Sequence, residues 1–374
     1  SSRTISATGT GSRINISGVP LLGPISSIMT ITVSATSGGI IDMSGVTKIR
    51  ATSYGFTADG AGSSILLEAL IAIDQTTDLS DNHMTIRNGG TISVPNLSTV
   101  VNGNFYAYDG LTFSLPSLAS LTCTSGVWNA ARPNGGFYAT GSGSRVECPS
   151  LTLMSGPSYG ANEISRTLTL SATSGGVVDI SSATQLRNLH VITANGTGSR
   201  ILLDGLTSIQ QSAESSGNTI SIRNGGRIAL PNLATAVNSN FYAYDGLTLS
   251  LPSLTNLSCT PGIWNGTCPN AGFYATGSGS RVECPSLTLL SGPHYGANNT
   301  SRTLTVSATG GGVVDISSVA QLNDLHALTA NGTGSRILLD GLASIQQTAE
   351  SSGNAISIRD GGSIALPNLA AAVN

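Results

Sequence analysis

The chain contains 374 residues, of which 9% are charged and 39% hydrophobic, and its formal net charge is −3. Its 16 basic residues are scattered instead of clustered, which argues against a nucleic-acid partner. The hydrophobic content excludes a disordered linker, and no apolar run reaches the roughly 18 residues of a membrane span. Few charges with abundant Val, Ile, Leu, Thr and Gly are typical of an all-β extracellular protein.

The two ends of the chain have the sequence of internal repeats. Residues 6–14 parallel residues 138–146, and residues 373–374 end in the same phase as residues 237–238. The first residues carry neither an initiator methionine nor a signal-peptide pattern, so we expect a mature or excised segment. Uncapped ends favour either a piece of a longer array or chains that join end to end.

A repeat of 136 residues organises the whole chain. Residues 104–110 return as 240–246, and residues 165–238 return as 301–374 with 14 differences in 74 positions. Repeat arrays of this kind form one continuous body. We predict a single β-solenoid over 1–374, with a partial super-repeat at 1–28, super-repeats at 29–164 and 165–300, and a partial super-repeat at 301–374.

A shorter pattern lies inside the long repeat and occurs 14 times, five times in each super-repeat. It consists of an apolar residue, any residue, an apolar residue, two small or turn residues and an apolar plug. In one clear copy, alternation along the strand directs Ile201 and Leu203 inward and Arg200 and Leu202 outward, and Leu206 is the plug. The pattern predicts an all-β fold, a parallel β-solenoid (β-helix) of about 14 right-handed coils.

The coil pattern resembles the repeats of large secreted bacterial surface proteins. An example is Gly-Gly-Arg-Ile-Ala-Leu-Pro-Asn-Leu at residues 225–233, and similar coils cover essentially the whole chain. The proteins it resembles are adhesin-like and haemagglutinin-like repeat proteins with parallel β-helix or β-solenoid bodies. The resemblance implies a solenoid fold at the cell surface and brings no active-site motif with it.

Aromatic residues are concentrated in the longer coils. If Phe105 and Ala107 point inward, then Tyr106 and Tyr108 point outward. Exposed tyrosine and tryptophan ladders can stack on sugar rings, whereas the alternative is that the longer loops fold back over the tyrosines. The candidate surface consists of Tyr106, Tyr108, Trp128 and Tyr138 and, 136 residues later, Tyr242, Tyr244, Trp264 and Tyr274.

Acidic residues are predicted to align on adjacent coils. Glu147 and Asp179 would project outward side by side, and two carboxylates about 5 Å apart suit a retaining glycosidase or a pair of calcium ligands. Arg145 lies two residues before Glu147 on the same face, where it can neutralise the pair. We therefore expect a surface ion ladder, with calcium as the alternative and no cofactor. The equivalent residues in the next super-repeat are Arg281, Glu283 and Asp315.

An outward apolar stripe is predicted on three successive coils and again one super-repeat later. Such a stripe could dock a neighbouring copy laterally, or a loop of the same chain could cover it. The predicted stripe residues are Val177, Leu202 and Ala229, followed by Val313, Leu338 and Ala365.

The chain has five cysteines: Cys123 and Cys148 return as Cys259 and Cys284, and Cys268 stands alone. The simplest prediction is one disulfide in each super-repeat, Cys123–Cys148 and Cys259–Cys284. A loop clip between Cys259 and Cys268 is the competing prediction. Paired cysteines fit an oxidising, extracellular compartment, and no Cys/His spacing resembles a zinc site.

These observations favour a structural role over an enzymatic one. We expect an extracellular or cell-surface fibre, stalk or adhesin shaft whose partners are copies of itself. The alternative is a carbohydrate-binding module that uses the tyrosines to bind a polysaccharide or a cell-surface glycan. A polysaccharide-acting β-helix enzyme is disfavoured because no single carboxylate or lysine cluster stands out, and an ice-binding surface because no flat Thr-X-Thr array persists.

Overall fold

A computed structural model describes residues 2–23, 30–51, 53–75, 82–124, 135–156, 168–211, 218–260, 270–293, 303–347 and 355–373. Within these ranges the chain forms 42 strands and no helix. Three consecutive strands make one coil, so the strands form 14 coils, and the strand pairs are parallel. The predicted all-β parallel solenoid is confirmed, whereas its right-handedness stays a prediction.

The contacts divide the chain into two compact units. Unit 1 comprises Ser1–Pro157, Glu163–Ala183 and Gly198–Leu202, and unit 2 comprises Ser158–Asn162, Thr184–Thr197 and Leu203–Asn374. Both units repeat the same three-strand coil. The arrangement of 1–374 as one continuous body, with its boundaries at the super-repeats, stays a prediction.

The strands of unit 1 are, in chain order, β1 (Ser2–Thr8), β2 (Arg13–Asn15), β3 (Leu21–Leu22), β4 (Thr30–Thr36), β5 (Ile40–Asp42), β6 (Lys48–Ile49), β7 (Ser53–Asp59), β8 (Ser64–Leu66), β9 (Ala72–Asp74), β10 (His83–Arg87), β11 (Thr91–Ser93), β12 (Thr99–Val101), β13 (Asn104–Tyr108), β14 (Thr112–Ser114), β15 (Ser120–Thr122), β16 (Gly135–Thr140), β17 (Arg145–Glu147), β18 (Leu153–Ser155), β19 (Leu168–Thr173), β20 (Val177–Asp179) and β23 (Arg200–Leu202).

The strands of unit 2 are β21 (Gln185–Arg187), β22 (Val191–Asn195), β24 (Ser208–Gln210), β25 (Asn218–Arg223), β26 (Arg227–Ala229), β27 (Thr235–Val237), β28 (Ser239–Tyr244), β29 (Thr248–Ser250), β30 (Asn256–Ser258), β31 (Ala271–Thr276), β32 (Arg281–Glu283), β33 (Leu289–Ser291), β34 (Leu304–Thr309), β35 (Val313–Asp315), β36 (Gln321–Asn323), β37 (Ala327–Asn331), β38 (Arg336–Leu338), β39 (Ser344–Gln346), β40 (Ala355–Arg359), β41 (Ser363–Ala365) and β42 (Ala371–Val373).

Each coil contributes its first strand to sheet A, its second to sheet B and its third to sheet C. In unit 1, sheet A has the order β1-β4-β7-β10-β13-β16-β19 and sheet C the order β3-β6-β9-β12-β15-β18. In unit 2, sheet A runs β22-β25-β28-β31-β34-β37-β40 and sheet C runs β21-β24-β27-β30-β33-β36-β39-β42. The second strands, here called sheet B, are interrupted: unit 1 has the separate runs β2-β5-β8-β11 and β14-β17-β20-β23, and unit 2 has β29-β32-β35-β38-β41.

The core is the space that the three sheets enclose, and the predicted alternation fills it. Ile201, Leu203 and Leu206 are fully buried, while Arg200 is exposed and Leu202 half-buried. An inward residue stacks on the residue at the same strand position in the next coil because parallel strands keep one register. The inner faces therefore exclude water over successive coils, and the apolar contacts stabilise each coil through its neighbours.

The corner between sheets A and B is fixed by a buried serine in the motif Gly-X-Gly-Ser. The hydroxyl of Ser144 donates to the carbonyl of Thr140 at 2.7 Å and accepts from the backbone N–H of Gly110, in the preceding coil, at 2.9 Å. Ser144 is fully buried. One side chain thus satisfies polar groups of two coils. Equivalent bonds are made by Ser63, Ser280 and Ser335.

Other coils turn from sheet A to sheet B through an asparagine or aspartate followed by glycine. Asn88 and Gly89 have φ values of 52° and 86°, a left-handed conformation that Asn and Gly tolerate best. The next glycine, Gly90, lies against the coil below. A Cβ there would lie 2.3 Å from the carbonyl oxygen of Ala58, so the coils could not approach this closely with a larger residue.

Coil length varies most at the corner between sheet C and the next strand of sheet A. Strand β12 ends at Val101 and β13 begins at Asn104, whereas β15 ends at Thr122 and β16 begins only at Gly135. The steps from sheet B to sheet C are constant by comparison: β11 and β12 begin eight residues apart, as do β14 and β15. Extra residues therefore leave the pairing of the strands unchanged.

The short corner after β12 is closed by a buried asparagine. The amide nitrogen of Asn102 donates to the carbonyl of Gln75 at 3.1 Å and to the hydroxyl of Thr124 at 2.8 Å. Its amide oxygen accepts from the backbone N–H of Thr124 at 2.9 Å. Asn102 thus joins three successive coils, and Asn238 makes the same bonds in unit 2.

None of the residues that the structure describes belongs to a helix long and apolar enough to cross a membrane.

Replacing Ser144 with alanine should lower the free energy of unfolding by about 1–3 kcal/mol, because a buried N–H and a buried carbonyl lose their partner. Urea unfolding followed by circular dichroism measures the change. Ser114→Ala is the matched control, because Ser114 lies on the exposed face of the neighbouring coil. Equal stability of the two variants would contradict the role given to Ser144.

Candidate functional site

The outer face of sheet A carries tyrosines in both units. Tyr106 and Tyr138 are register partners on β13 and β16, and their ring centroids lie 4.5 Å apart with an angle of 16° between the planes. Tyr108, two residues along β13, is parallel to Tyr106 within 5° at a centroid distance of 6.2 Å. All three side chains are half-buried. We call them the tyrosine surface of unit 1.

The ring distances define how these tyrosines are arranged. Tyr138 lies on the neighbouring strand β16, and its ring stacks face to face on the ring of Tyr106. Both ring planes are therefore perpendicular to the line that runs from β13 to β16. Tyr108 lies two residues further along the same strand as Tyr106. Its ring is parallel to the ring of Tyr106 and lies beside that ring, not on top of it. Tyr106 and Tyr108 therefore present two adjacent ring faces toward β10.

Unit 2 has the same arrangement. Tyr242 and Tyr274 stack at 4.4 Å and 12°, and Tyr242 and Tyr244 are parallel within 3° at 6.0 Å. Burial raises the pKa values of Tyr242 and Tyr274 above the ordinary tyrosine value, so both are neutral phenols at physiological pH. These three residues are the tyrosine surface of unit 2. Two other predicted members, Trp128 and Trp264, lie outside the described residues.

An open groove of about 440 Å³ borders the tyrosine surface of unit 1. It runs over strands β7, β10 and β13. Its lining combines two phenols with hydroxyl, imidazole, guanidinium, amide and carboxylate groups, all suited to hydrogen bonding. The lining residues are Thr57, His83, Thr85, Arg87, Asn104, Tyr106, Tyr108 and Asp109.

The groove exists because side-chain size changes abruptly along one row of sheet A. Thr57, Thr85 and Tyr106 occupy the same register position on three successive coils. The threonines form a low floor, and Tyr106 rises beside them as a wall. On the row before, His83 lies over Gly55, where a Cβ would approach the imidazole Cε1 to 2.9 Å. Gly55 therefore makes room for the histidine.

The opposite side of the groove is held by an ion pair between register partners. Arg87 donates to Asp59 through Nη2 at 2.8 Å and through Nε at 2.9 Å, and Asn88 donates to the other oxygen of Asp59 at 2.8 Å. The hydrogen bond from Asn88 and the charge of Arg87 lower the pKa of Asp59, although its partial burial acts in the opposite direction. Asp59 therefore stays ionised and draws Arg87 toward β7.

The corresponding arginine of unit 2 behaves differently. Asn195 stands where unit 1 has Asp59, and it accepts a 2.9 Å hydrogen bond from Asn224. Arg223, the counterpart of Arg87, lies with its guanidinium carbon 3.9 Å from the ring centroid of Tyr244. This is a cation–π contact directly on the ring face. Thr219 stands where unit 1 has His83.

Sequence analysis found the tyrosines but missed the groove beside them. It gave no role to His83, Arg87 or Asp59. The signal was available in the pattern of side-chain sizes at one strand position through successive coils, Thr57, Thr85 and then Tyr106. Reading that pattern requires the register between coils, which the alternation within a strand does not supply.

The acidic pairs lie where the sequence predicts, and an arginine bridges each of them. Glu147 and Asp179 are register partners, and Arg145 contacts both, with an Nε–Oε2 distance of 3.0 Å to Glu147. The guanidinium therefore occupies the position that a cation would take between the carboxylates. Arg281 bridges Glu283 and Asp315 in the same way. Among the described residues, no group of three or more His, Cys, Asp or Glu side chains could hold a metal ion.

The predicted apolar stripe is wrong, because its valines do not align with its leucines on neighbouring strands. In unit 2, Val313 pairs with Arg336, whereas Leu338 pairs with Asp315 and with Ala365. The same offset separates Val177 from Leu202 in unit 1, where Val177 pairs with Arg200 and Leu202 with Asp179. Positions two residues apart on a strand are about 6.6 Å apart, so each valine lies in a row of arginines instead. Leu338 and Ala365 remain neighbours, while Ala229 is half-buried on β26.

The predicted disulfides Cys123–Cys148 and Cys259–Cys284 are also wrong, because Cys148 and Cys284 are free, buried thiols. Cys148 follows a strand of sheet B, and Cys123 follows a strand of sheet C in the preceding coil. The two residues thus belong to different corners of the core. Burial, assisted by the charges of Asp179 and Glu147, raises the pKa of the Cys148 thiol. The alternative bond to Cys268 lies outside the described residues.

No protein-family model, curated protein or solved structure matches this chain with significant similarity. The resemblance to secreted surface repeat proteins therefore stays a prediction, and the parallel solenoid is the part of it that the structure supports.

Cys148 and Cys284 should react with a thiol reagent only after unfolding, because the reactive species is the thiolate and burial disfavours it. Alkylation of native and urea-unfolded protein, followed by peptide mass spectrometry, measures this. We expect slow labelling of both residues in the native protein and complete labelling in urea without reductant. If either cysteine were alkylated only after addition of a reductant, the predicted disulfides would be supported instead.

Proposed function

We propose that the chain is a structural segment of an extracellular fibre, stalk or adhesin shaft. The observation that supports this proposal is the pairing of coil with coil in each unit, which is uninterrupted in sheets A and C and continues over shorter runs in sheet B. The inner residues of these sheets are buried. A load applied along the stacking direction acts on many backbone hydrogen bonds at once. The buried serine and asparagine bonds add connections between successive coils at the corners.

The protein's main partners in such a fibre are further copies of the same coil. Parallel coils lie about 4.8 Å apart, so five coils advance about 24 Å. An array built from this super-repeat would therefore show its decorated coils at that spacing.

Electron microscopy of native material tests the structural proposal. We expect fibres or elongated surface projections with a periodicity near 24 Å, because the super-repeat is the smallest unit that restores the same surface. Material that stays monomeric and featureless at high concentration would contradict a fibre. Analytical ultracentrifugation over a range of concentrations provides the independent measurement of association.

A second function is favoured by the groove beside Tyr106 and Tyr108. Its two adjacent ring faces offer a flat apolar wall, and its floor and sides offer hydrogen-bonding groups. Sugar rings have apolar C–H faces and a rim of hydroxyls, so they match this combination. We propose that the tyrosine surfaces bind polysaccharide or cell-surface glycan, which would give a shaft the means to attach.

The double substitution Tyr106→Ala and Tyr242→Ala should abolish glycan binding, because both tyrosine surfaces lose their central ring. Glycan-array binding of the variant and of the unmodified chain measures the effect. The matched control replaces Thr112 and Thr248 with alanine, because these exposed residues lie on sheet B of the same coils. Binding that survives loss of both tyrosines would exclude this surface as the binding site.

A further inference from the structure

We infer that only the tyrosine surface of unit 1 is open to a ligand, that its ligand is an uncharged hexopyranose oligosaccharide, and that Asp59 keeps it open. This inference rests on the proposed carbohydrate-binding function. It adds which of the two surfaces binds, what class of saccharide it takes, and which residue controls access to it.

Access to the ring faces differs between the two units. In unit 2, Arg223 covers the face of Tyr244 that is turned toward β25, at 3.9 Å from the ring centroid. A sugar ring needs the same face and would have to displace the guanidinium. In unit 1, the groove reaches both Arg87 and Tyr108, and the guanidinium of Arg87 is bound to Asp59 on the far side of β10.

The position of the arginine follows from the residue that faces it across the strands, Asp59 in unit 1 and Asn195 in unit 2. Asp59 offers a charged oxygen to Arg87 and a second oxygen to Asn88. Asn195 offers a single neutral oxygen, and Asn224 already binds it at 2.9 Å. A guanidinium forms stronger, charge-assisted hydrogen bonds with a carboxylate than with a neutral amide, and it can instead lie on an aromatic face. The substitution of Asp by Asn thus moves the arginine onto the tyrosine.

The charges and dimensions of the groove indicate an uncharged ligand. Its lining contains one cationic side chain, Arg87, which is already paired with Asp59, and one anionic side chain, Asp109, so the groove does not attract an acidic saccharide. Two parallel rings with centroids 6.2 Å apart form a wall long enough for more than a single sugar ring. His83, Thr57 and Thr85 line the floor and the other side, where they can bond to ring hydroxyls.

Exchange of the two controlling residues tests the inference. Isothermal titration calorimetry with neutral hexasaccharides of glucose, galactose, mannose and N-acetylglucosamine should give one site per chain for the best ligand. Asp59→Asn should weaken binding about tenfold or more, because Arg87 would then cover Tyr108. Asn195→Asp and, independently, Arg223→Ala should each raise the stoichiometry from one site toward two.

The outcomes separate this inference from the function on which it rests. Absence of binding by the unmodified chain to any neutral hexasaccharide would overturn the carbohydrate-binding function itself. Two sites in the unmodified chain, or loss of binding in Tyr244→Ala but not in Tyr108→Ala, would leave that function standing and overturn the inference. Preference for an acidic hexasaccharide, a uronic acid polymer for example, would overturn the assignment of an uncharged ligand. Circular dichroism of each variant checks that it is folded.

Discussion

The register between parallel coils is the constraint on which the rest of this structure depends. Each strand places its residues directly beside the same positions of the next coil, and a slip of one residue would turn every core side chain outward. Ser144 and Asn102 reinforce the register because each bonds to backbone groups of a neighbouring coil. The same constraint creates the surface features, since it brings Tyr106 onto Tyr138 and Arg145 between two carboxylates.

Much of the fold could be predicted because it repeats, and repetition amplifies a weak pattern. The positions of Ile201, Leu203 and Leu206 predicted sheet B and the core, and the alternation of Phe105 and Ala107 with two tyrosines predicted a strand of sheet A. Sheet C was missed because a strand such as Ser208–Gln210 has a single buried apolar residue, Ile209, so no alternation can be recognised in it. The failures at the surface have a different cause. Pairing of Val313 with Arg336 depends on alignment between coils, which the sequence does not state.

The groove also depends on the alignment between coils, which the sequence of one coil does not state. None of its residues stands out in the sequence of its own coil. The shape of the groove arises from the order of small and large side chains at one strand position through successive coils. The two super-repeats make this visible, because they place similar residues on the same scaffold with different results. Asn195 in place of Asp59, together with Thr219 in place of His83, accompanies a different position of the neighbouring arginine. Local chemistry, with the backbone pattern unchanged, thus distinguishes two surfaces that the sequence presents as copies.

The variable corner after sheet C has a consequence for how such a protein can change. Insertions and deletions at this corner alter one edge of the molecule and leave every ladder in place, as the difference between the corners after Val101 and Thr122 illustrates. Changes of length at that corner therefore need no change in the strands of the three sheets. In a protein built this way, the loops at this corner can change in length and sequence while the paired strands stay the same. Foreign peptides could therefore be grafted into these loops without redesign of the sheets.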